Sequence, residues 1–263
     1  MEEKFVGCKI AYLPEDRLVS AAQTAISVNP FNQPYIGRIA KRFLERIGVI
    51  KDEVEDPQHL AVLTTKYWGA GGVVLTVGFM EEISDELANR LIAHMNAWGQ
   101  WGNVKFTRTK TDPQVRVTRS GDGFWSYLGS DVLHIAKNEP TMCLEGFTMQ
   151  TPEAEFVRVV RHEAGHTLGF PHEHMRSALV ARIDQSKAIA YFGRTQGWSP
   201  AMVMAQVLKP ISEASLMATP GGDQASIMCY FLPAEITVDG LPIIGGVDID
   251  ELDKAFIAKI YPL

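Results

Sequence analysis

The sequence predicts an α+β fold. It comprises a mixed, twisted sheet with two long helices above a cleft, then an irregular C-terminal subdomain closed by a terminal helix. Three observations predict it. Short β-branched runs near residues 73–77, 104–107, 115–118 and 132–136 are bounded by turn residues, as strands are. Two stretches, one over residues 85–98 and one opening at Thr151-Pro152, carry apolar residues at helical spacing instead. Beyond Phe170 the periodicity breaks into short pieces separated by Pro- and Gly-rich chain.

Taken in order, residues 1–62 read as an N-terminal extension, either a pro-segment or a structural lobe, with the lobe preferred. They hold a loop-like Asn29-Pro30-Phe31-Asn32-Gln33-Pro34 and then an amphipathic helix with Ile36, Ile39, Phe43 and Ile47 on one face. The main domain follows over residues 63–263, with an upper subdomain of about 63–171 and a lower one of about 172–263. The strand at 73–77 opens it. Ser84 caps the next helix, whose Leu87, Leu91, Met95 and Trp98 face inward and whose His94 reads as a boundary residue. In the second long helix Pro152 occupies the favoured first position. Ser199-Pro200 opens a short helix, and Val238-Asp239-Gly240-Leu241 reads as a hairpin tip. The last helix is expected to start at an Asp248-x-x-Glu251 capping arrangement and to bury Leu252, Phe256 and Ile260.

Composition bounds the function classes. The chain has 263 residues, 46% hydrophobic and 21% charged, which is enough for a substantial core in a globular protein. A net charge of −6 without basic clusters gives no electrostatic case for nucleic acid or an anionic membrane. No apolar run reaches the length of a membrane span. The start, Met1-Glu2-Glu3-Lys4-Phe5, lacks the basic and apolar regions of a signal peptide, and three cysteines make no disulfide framework. These suggest a cytoplasmic protein or one exported by a leaderless route. The oligomeric state is not legible.

The chemistry concentrates in His162-Glu163-Ala164-Gly165-His166-Thr167-Leu168-Gly169-Phe170-Pro171-His172. Residues four apart project from one helical face, so His162 and His166 can present imidazoles to a common point. Gly169 lets the chain leave the helix in a left-handed conformation, and His172 returns as a third nitrogen ligand. Three His ligands leave a fourth tetrahedral position open, as catalytic zinc sites do, so one catalytic Zn2+ is expected. Glu163 can reach the water at that position and take its proton without being a ligand. With His174, this segment gathers four of the chain's seven histidines, which argues against scatter.

A distant element agrees. Ser226-Ile227-Met228-Cys229-Tyr230 follows the turn-rich Pro220-Gly221-Gly222-Asp223. With it, the chain resembles a metzincin, and within that clan the astacin family of zinc endopeptidases. The resemblance includes Gly169-Phe170, Glu173 after the third His, Arg176, Trp68-Gly69-Ala70-Gly71-Gly72-Val73 and Trp125-Ser126-Tyr127-Leu128-Gly129, and spans roughly residues 65–263. It implies a metzincin (zincin-like) catalytic domain in which Met228 floors the metal site. It also implies that Tyr230 is a further zinc ligand that swings away to hydrogen-bond the oxyanion. Glu173 would contact a new N-terminus freed by activation, or else stand as a solvated carboxylate. Two departures stand out. Phe124 replaces the family's Cys, which would orphan Cys143, and Ser177-Ala178-Leu179-Val180 replaces an acidic stretch.

The resemblance implies a zinc metalloendopeptidase acting on protein or peptide substrates, with Glu163 and Tyr230 catalytic and His162, His166, His172 and Tyr230 on the metal. A substrate would add as a strand along an exposed sheet edge, for which residues 132–136 are the candidate. The alternatives are a dedicated protease of one partner and a catalytically silent zinc-binding module. No family-type blocking motif stands in residues 1–62, although Asp16, Asp52, Asp56 or the Cys8 thiolate have suitable ligand atoms.

Overall fold

A computed structural model describes residues 8–32, 66–211 and 222–263. A six-stranded sheet organises it: β1 (Cys8–Ala11), β2 (Val73–Phe79), β3 (Val104–Arg108), β4 (Val115–Thr118), β5 (Phe124–Tyr127) and β6 (Met142–Leu144). The spatial order is β1-β5-β6-β4-β2-β3. β5 and β6 are antiparallel and the other pairings are parallel. β4 is buried along its whole length and Leu75 and Val77 of β2 are fully buried, so the middle of the sheet lies inside the molecule.

Two helices cover one face. α2 (Asp85–Met95), preceded in the chain by α1 (Leu18–Val28), is capped by Ser84, whose hydroxyl accepts from Leu87 N, and it buries Leu87, Leu91 and Met95. α3 is continuous over residues 153–167 but changes pitch. A first turn (Glu153–Glu155) leads into a π turn (Phe156–Val160) and then the α-helical Arg161–Thr167. Pro152 is the cap itself and not the first helical residue. Trp98, Phe106, Phe156, Val160, Leu168 and Met228 are among the residues of the core between sheet and helices. A second apolar cluster, around Phe192, Val207, Leu232 and Ile243, holds the C-terminal part together. It packs α4 (Gln185–Gln196) and α5 (Pro200–Val203), which continues as the π turn Met204–Leu208.

Several expectations need correction. Residues 132–136 are not a strand: Gly129–His134 is a 3-10 helix whose C-terminal neighbour Ile135 packs with Leu13 and Ala21 beneath α1. A short apolar run has no period that separates strand from turn, and here the packing partner decides. At that end of the sheet the edge strand is β1, which pairs along β5. The terminal helix α6 (Glu251–Ile260) is capped by Asp250, with Asp253 completing the capping box, two residues later than expected. Asp253 accepts from Ser226 Oγ at 2.6 Å and Ile227 N at 2.9 Å. Those bonds fix the helix's rotation, so Ile257 and Ile260 face inward while Leu252 is half exposed. The proposed helix through Ile36, Ile39, Phe43 and Ile47 lies outside the described residues. Val238-Asp239-Gly240-Leu241 does turn the chain, with Gly240 at φ +69°, between the antiparallel-bridged Leu232 and Ile243.

Candidate metal centre

α3 delivers the first two imidazoles from one buried face, His162 at 6% exposure and His166 at 0%. The helix ends where hydrogen-bond donors from other elements take its last carbonyls. Trp68 Nε1 donates to Thr167 O at 2.9 Å and the Tyr261 hydroxyl to Leu168 O at 2.6 Å. Gly169 then adopts φ +99°, the left-handed conformation its spacing required, and the chain turns to place His172 opposite α3.

The three Nε2 atoms converge. His162 and His166 Nε2 are 3.1 Å apart, and His166 and His172 Nε2 3.0 Å apart. The first of these approaches is not a hydrogen bond. His162 Nδ1 donates to Ile227 O and His166 Nδ1 to Phe170 O, each at 2.6 Å. A carbonyl only accepts, so both of these ring protons sit on Nδ1 and the Nε2 lone pairs of His162 and His166 face one another. Burial keeps all three rings neutral. It pulls His162 down to about 4 and His166 and His172 well below the ordinary histidine value. Facing lone pairs on buried neutral imidazoles are what a cation resolves. Ligands 2.0–2.1 Å from a tetrahedral zinc are roughly 3.3 Å from each other, close to the observed spacing.

A fourth ligand atom comes from an unforeseen direction. The Cys8 Sγ of β1 lies 3.5 Å from His166 Nε2, and the four ligand atoms of Cys8, His162, His166 and His172 all lie within 4.8 Å of one another. A thiolate and an imidazole on one tetrahedral zinc are roughly 3.6 Å apart, which matches. The pairing of β1 with β5 sets Cys8 there.

Glu163 is fully buried beside this cluster. Its Oε2 lies 2.5 Å from the Ser126 hydroxyl of β5, a contact not read from the sequence, although Ser126 stands in one of the segments that carry the family resemblance. Burial pushes the Glu163 carboxyl up to about 7, opposed by hydrogen bonds from the Cys8 thiol and the Ser126 hydroxyl. Beneath the helix, Met228 is buried against Gly165: a β-carbon on Gly165 would lie 2.5 Å from the Met228 sulfur. The Tyr230 ring packs on His172 and His174, with centroids 4.7 and 4.0 Å away. Its hydroxyl reaches the carbonyls of Cys8 and Gln206, each at 3.5 Å. Glu173 is not a solvated carboxylate. It pairs with Arg176 at 2.9 Å and accepts from Asp223 N, and burial pushes it up to about 7. His94 stands apart from the centre, paired with Glu153 at 3.2 Å, and Cys143 is buried as a free thiol.

Comparison with known proteins agrees with this geometry. The model of the astacin peptidase family matches residues 62–184. The structure of myroilysin superposes with a TM-score of 0.71 at 31% identity, covering 77% of this chain and 98% of that one. The chain belongs to the astacin family. A hatching-enzyme zinc-protease of Oryzias latipes, high choriolytic enzyme 1, shares the fold at 19% identity, with a TM-score of 0.50 over 80% of this chain and 97% of that one. An astacin-like metalloendopeptidase of Coturnix japonica is 31% identical over 74 residues, which is 28% of this chain. The match spans 16% of that relative's length. Zinc is the cofactor of the astacin family, and the donor set described above fits it. Among the described residues no helix is long and apolar enough to cross a membrane.

Proposed function

We propose that this chain is a zinc-dependent endopeptidase, held latent in the described state by its own N-terminal segment. The observation that carries the reading is the convergence of three buried imidazoles beside the buried Glu163 carboxyl. When bound, zinc supplies a Lewis acid that polarises the scissile carbonyl and acidifies water, whose pKa falls from 15.7 to roughly 7 in such sites.

The chain's own residues do the rest. Glu163, oriented by Ser126, takes the proton of the attacking water at a carboxylate oxygen and later delivers it to the leaving amine. His162 and His166 are fixed as Nε2 donors by the carbonyls that hold their Nδ1 protons. Tyr230 is poised beside His172, and its hydroxyl is released to meet the substrate oxyanion, or the metal at rest, once Cys8 leaves.

Latency follows from β1. It fills the edge of β5 that an extended substrate would use, and its thiol stands where it would be the fourth ligand of a bound zinc. This favours the pro-segment reading of residues 1–62 over the structural lobe. The test uses the full chain on an unfolded protein substrate with one zinc per chain. Cys8→Ala should cleave faster than the unaltered chain, and Glu163→Gln in that background should retain zinc yet lose cleavage by at least about a hundredfold, as loss of a general base does. Zinc-loaded Cys8→Ala that leaves the substrate intact even after limited proteolysis has removed β1 sinks the peptidase reading and favours a silent zinc-binding module.

A further inference from the structure

Gln206 lies on the π turn after α5, 3% exposed, and its side chain does something unusual for a buried amide. Its Oε1 accepts from Ile10 N and its Nε2 donates to Ile10 O, both at 3.1 Å. In a strand, the N–H and C=O of one residue point to the same side, so a primary amide can close both bonds at once. β1 is thereby gripped from both edges, by β5 along one and by Gln206 along the other, with Ile10 in register with Ser126. The Gln206 main chain is itself fixed, since its carbonyl accepts from His174 Nε2 at 3.0 Å.

Two features indicate that this grip serves more than β1. It uses main-chain groups alone, so any extended residue at that register satisfies it. It also sits two residues along the strand from Cys8, which reaches the metal centre. When β1 departs, a buried amide loses both partners, and leaving such groups unpaired costs roughly 1–3 kcal/mol each unless another chain or water replaces them. A cavity of about 490 Å³ between residues 9–12 and Trp125, Met202 and Ala205 runs beside the amide and leaves room for side chains larger than those β1 places there.

We propose that Gln206 is a main-chain clamp for the substrate: its amide hydrogen-bonds the N–H and C=O of one peptide residue close to the scissile bond, independently of that residue's identity. This rests on the peptidase reading and specifies how the cleft holds its substrate. The experiment compares Cys8→Ala with Cys8→Ala/Gln206→Met, each made full length and then freed of β1 by limited proteolysis, on one cleavable peptide and on its N-methyl scan, one backbone amide methylated at a time. Methylation at positions facing β5 should lower kcat/KM equally in both enzymes. At a single other position, within about three residues of the cleaved bond, it should cost Cys8→Ala about tenfold and the Gln206→Met variant nothing further, that being the worth of one hydrogen bond with its partner left unsatisfied. Gln206→Glu, which keeps the acceptor but loses the donor, should retain that penalty while binding the parent peptide more weakly. Methylation penalties that are the same at every position in the Gln206→Met variant as in Cys8→Ala overturn the clamp while leaving the peptidase intact. A zinc-loaded Cys8→Ala, likewise freed of β1, that cleaves no peptide overturns both.

Discussion

At the scale of single residues, the centre depends on which atom of each side chain is left free. His162 and His166 spend their Nδ1 protons on carbonyls, and Tyr230 spends its hydroxyl on the carbonyls of Cys8 and Gln206. Removing that hydroxyl leaves the ring's packing on His172 and His174 in place, so Tyr230→Phe isolates the oxyanion role. The expected result, measured in the Cys8→Ala background, is a fall in kcat of about tenfold to a hundredfold with KM little changed, because the contact is made mainly in the transition state. An unaltered kcat removes Tyr230 from the mechanism. The ligands themselves were legible because spacing within one helix and one turn encodes them: His162, Glu163, His166, Gly169 and His172 span eleven residues. Cys8 and Ser126 were not placed by sequence, since they reach the centre across 158 and 37 residues of chain. Such contacts are set by strand register, which local sequence does not carry. For Cys8 the chemistry was foreseeable and the position was not.

At the scale of elements, the same division holds. β2, β3 and α2 were legible because each carries enough residues to show a period and α2 has its own cap in Ser84, while β4 was legible from its β-branched Val115, Val117 and Thr118. β1, β5 and β6 have four, four and three residues, and they are strands because of what they pair with. The turn after β5 shows how a pairing is ended. Gly129 there has φ +47°, and a β-carbon on it would run into Lys66 O, an atom that also accepts from Ser130 N. The neighbouring Asp131 is buried in an ion pair with Lys66, so the segment has little room to yield. Gly129→Ala therefore meets both a left-handed backbone and a backbone clash. A loss of about 2–4 kcal/mol is expected. In a domain of this size that lowers the thermal midpoint by roughly 5–15 °C, measurable by differential scanning fluorimetry. A midpoint within about 2 °C of the parent, too small a shift for such a loss, would show that the turn relaxes freely.

At the scale of the whole molecule, the metal centre is a junction between otherwise separate packing units. α3 belongs to the core beneath the sheet helices, while His172 and Tyr230 stand where the chain passes to the C-terminal cluster, and β1 brings in the N-terminus. Main-chain bonds reinforce the junction, with Glu173 N donating to Met228 O at 2.8 Å and Asp253 holding Ser226 and Ile227. A ligand that binds only when these parts are assembled stabilises the assembly by mass action, about 4 kcal/mol at a thousandfold excess over its dissociation constant. Zinc should therefore raise the thermal midpoint of the chelator-treated chain by roughly 8–16 °C. Cys8→Ala should still respond but by less, because the thiolate no longer contributes, whereas His172→Ala should lose most of the response. Acid should erode the effect late. His162, pulled down to about 4 by burial, stays neutral in the folded chain well below the ordinary histidine value near 6.5, so protons compete for its Nε2 only as the pH approaches 4. The unfolded chain, by contrast, takes up its histidine protons near 6.5, so the depressed values contribute stability that is complete above 6.5 and lost as the pH falls toward 4. Thermal scans with and without zinc between pH 7.5 and pH 4.5 separate the two effects. The zinc-dependent increment should persist at pH 5.5, and its disappearance by pH 6.5 would mean that these imidazoles are not buried as a preformed site.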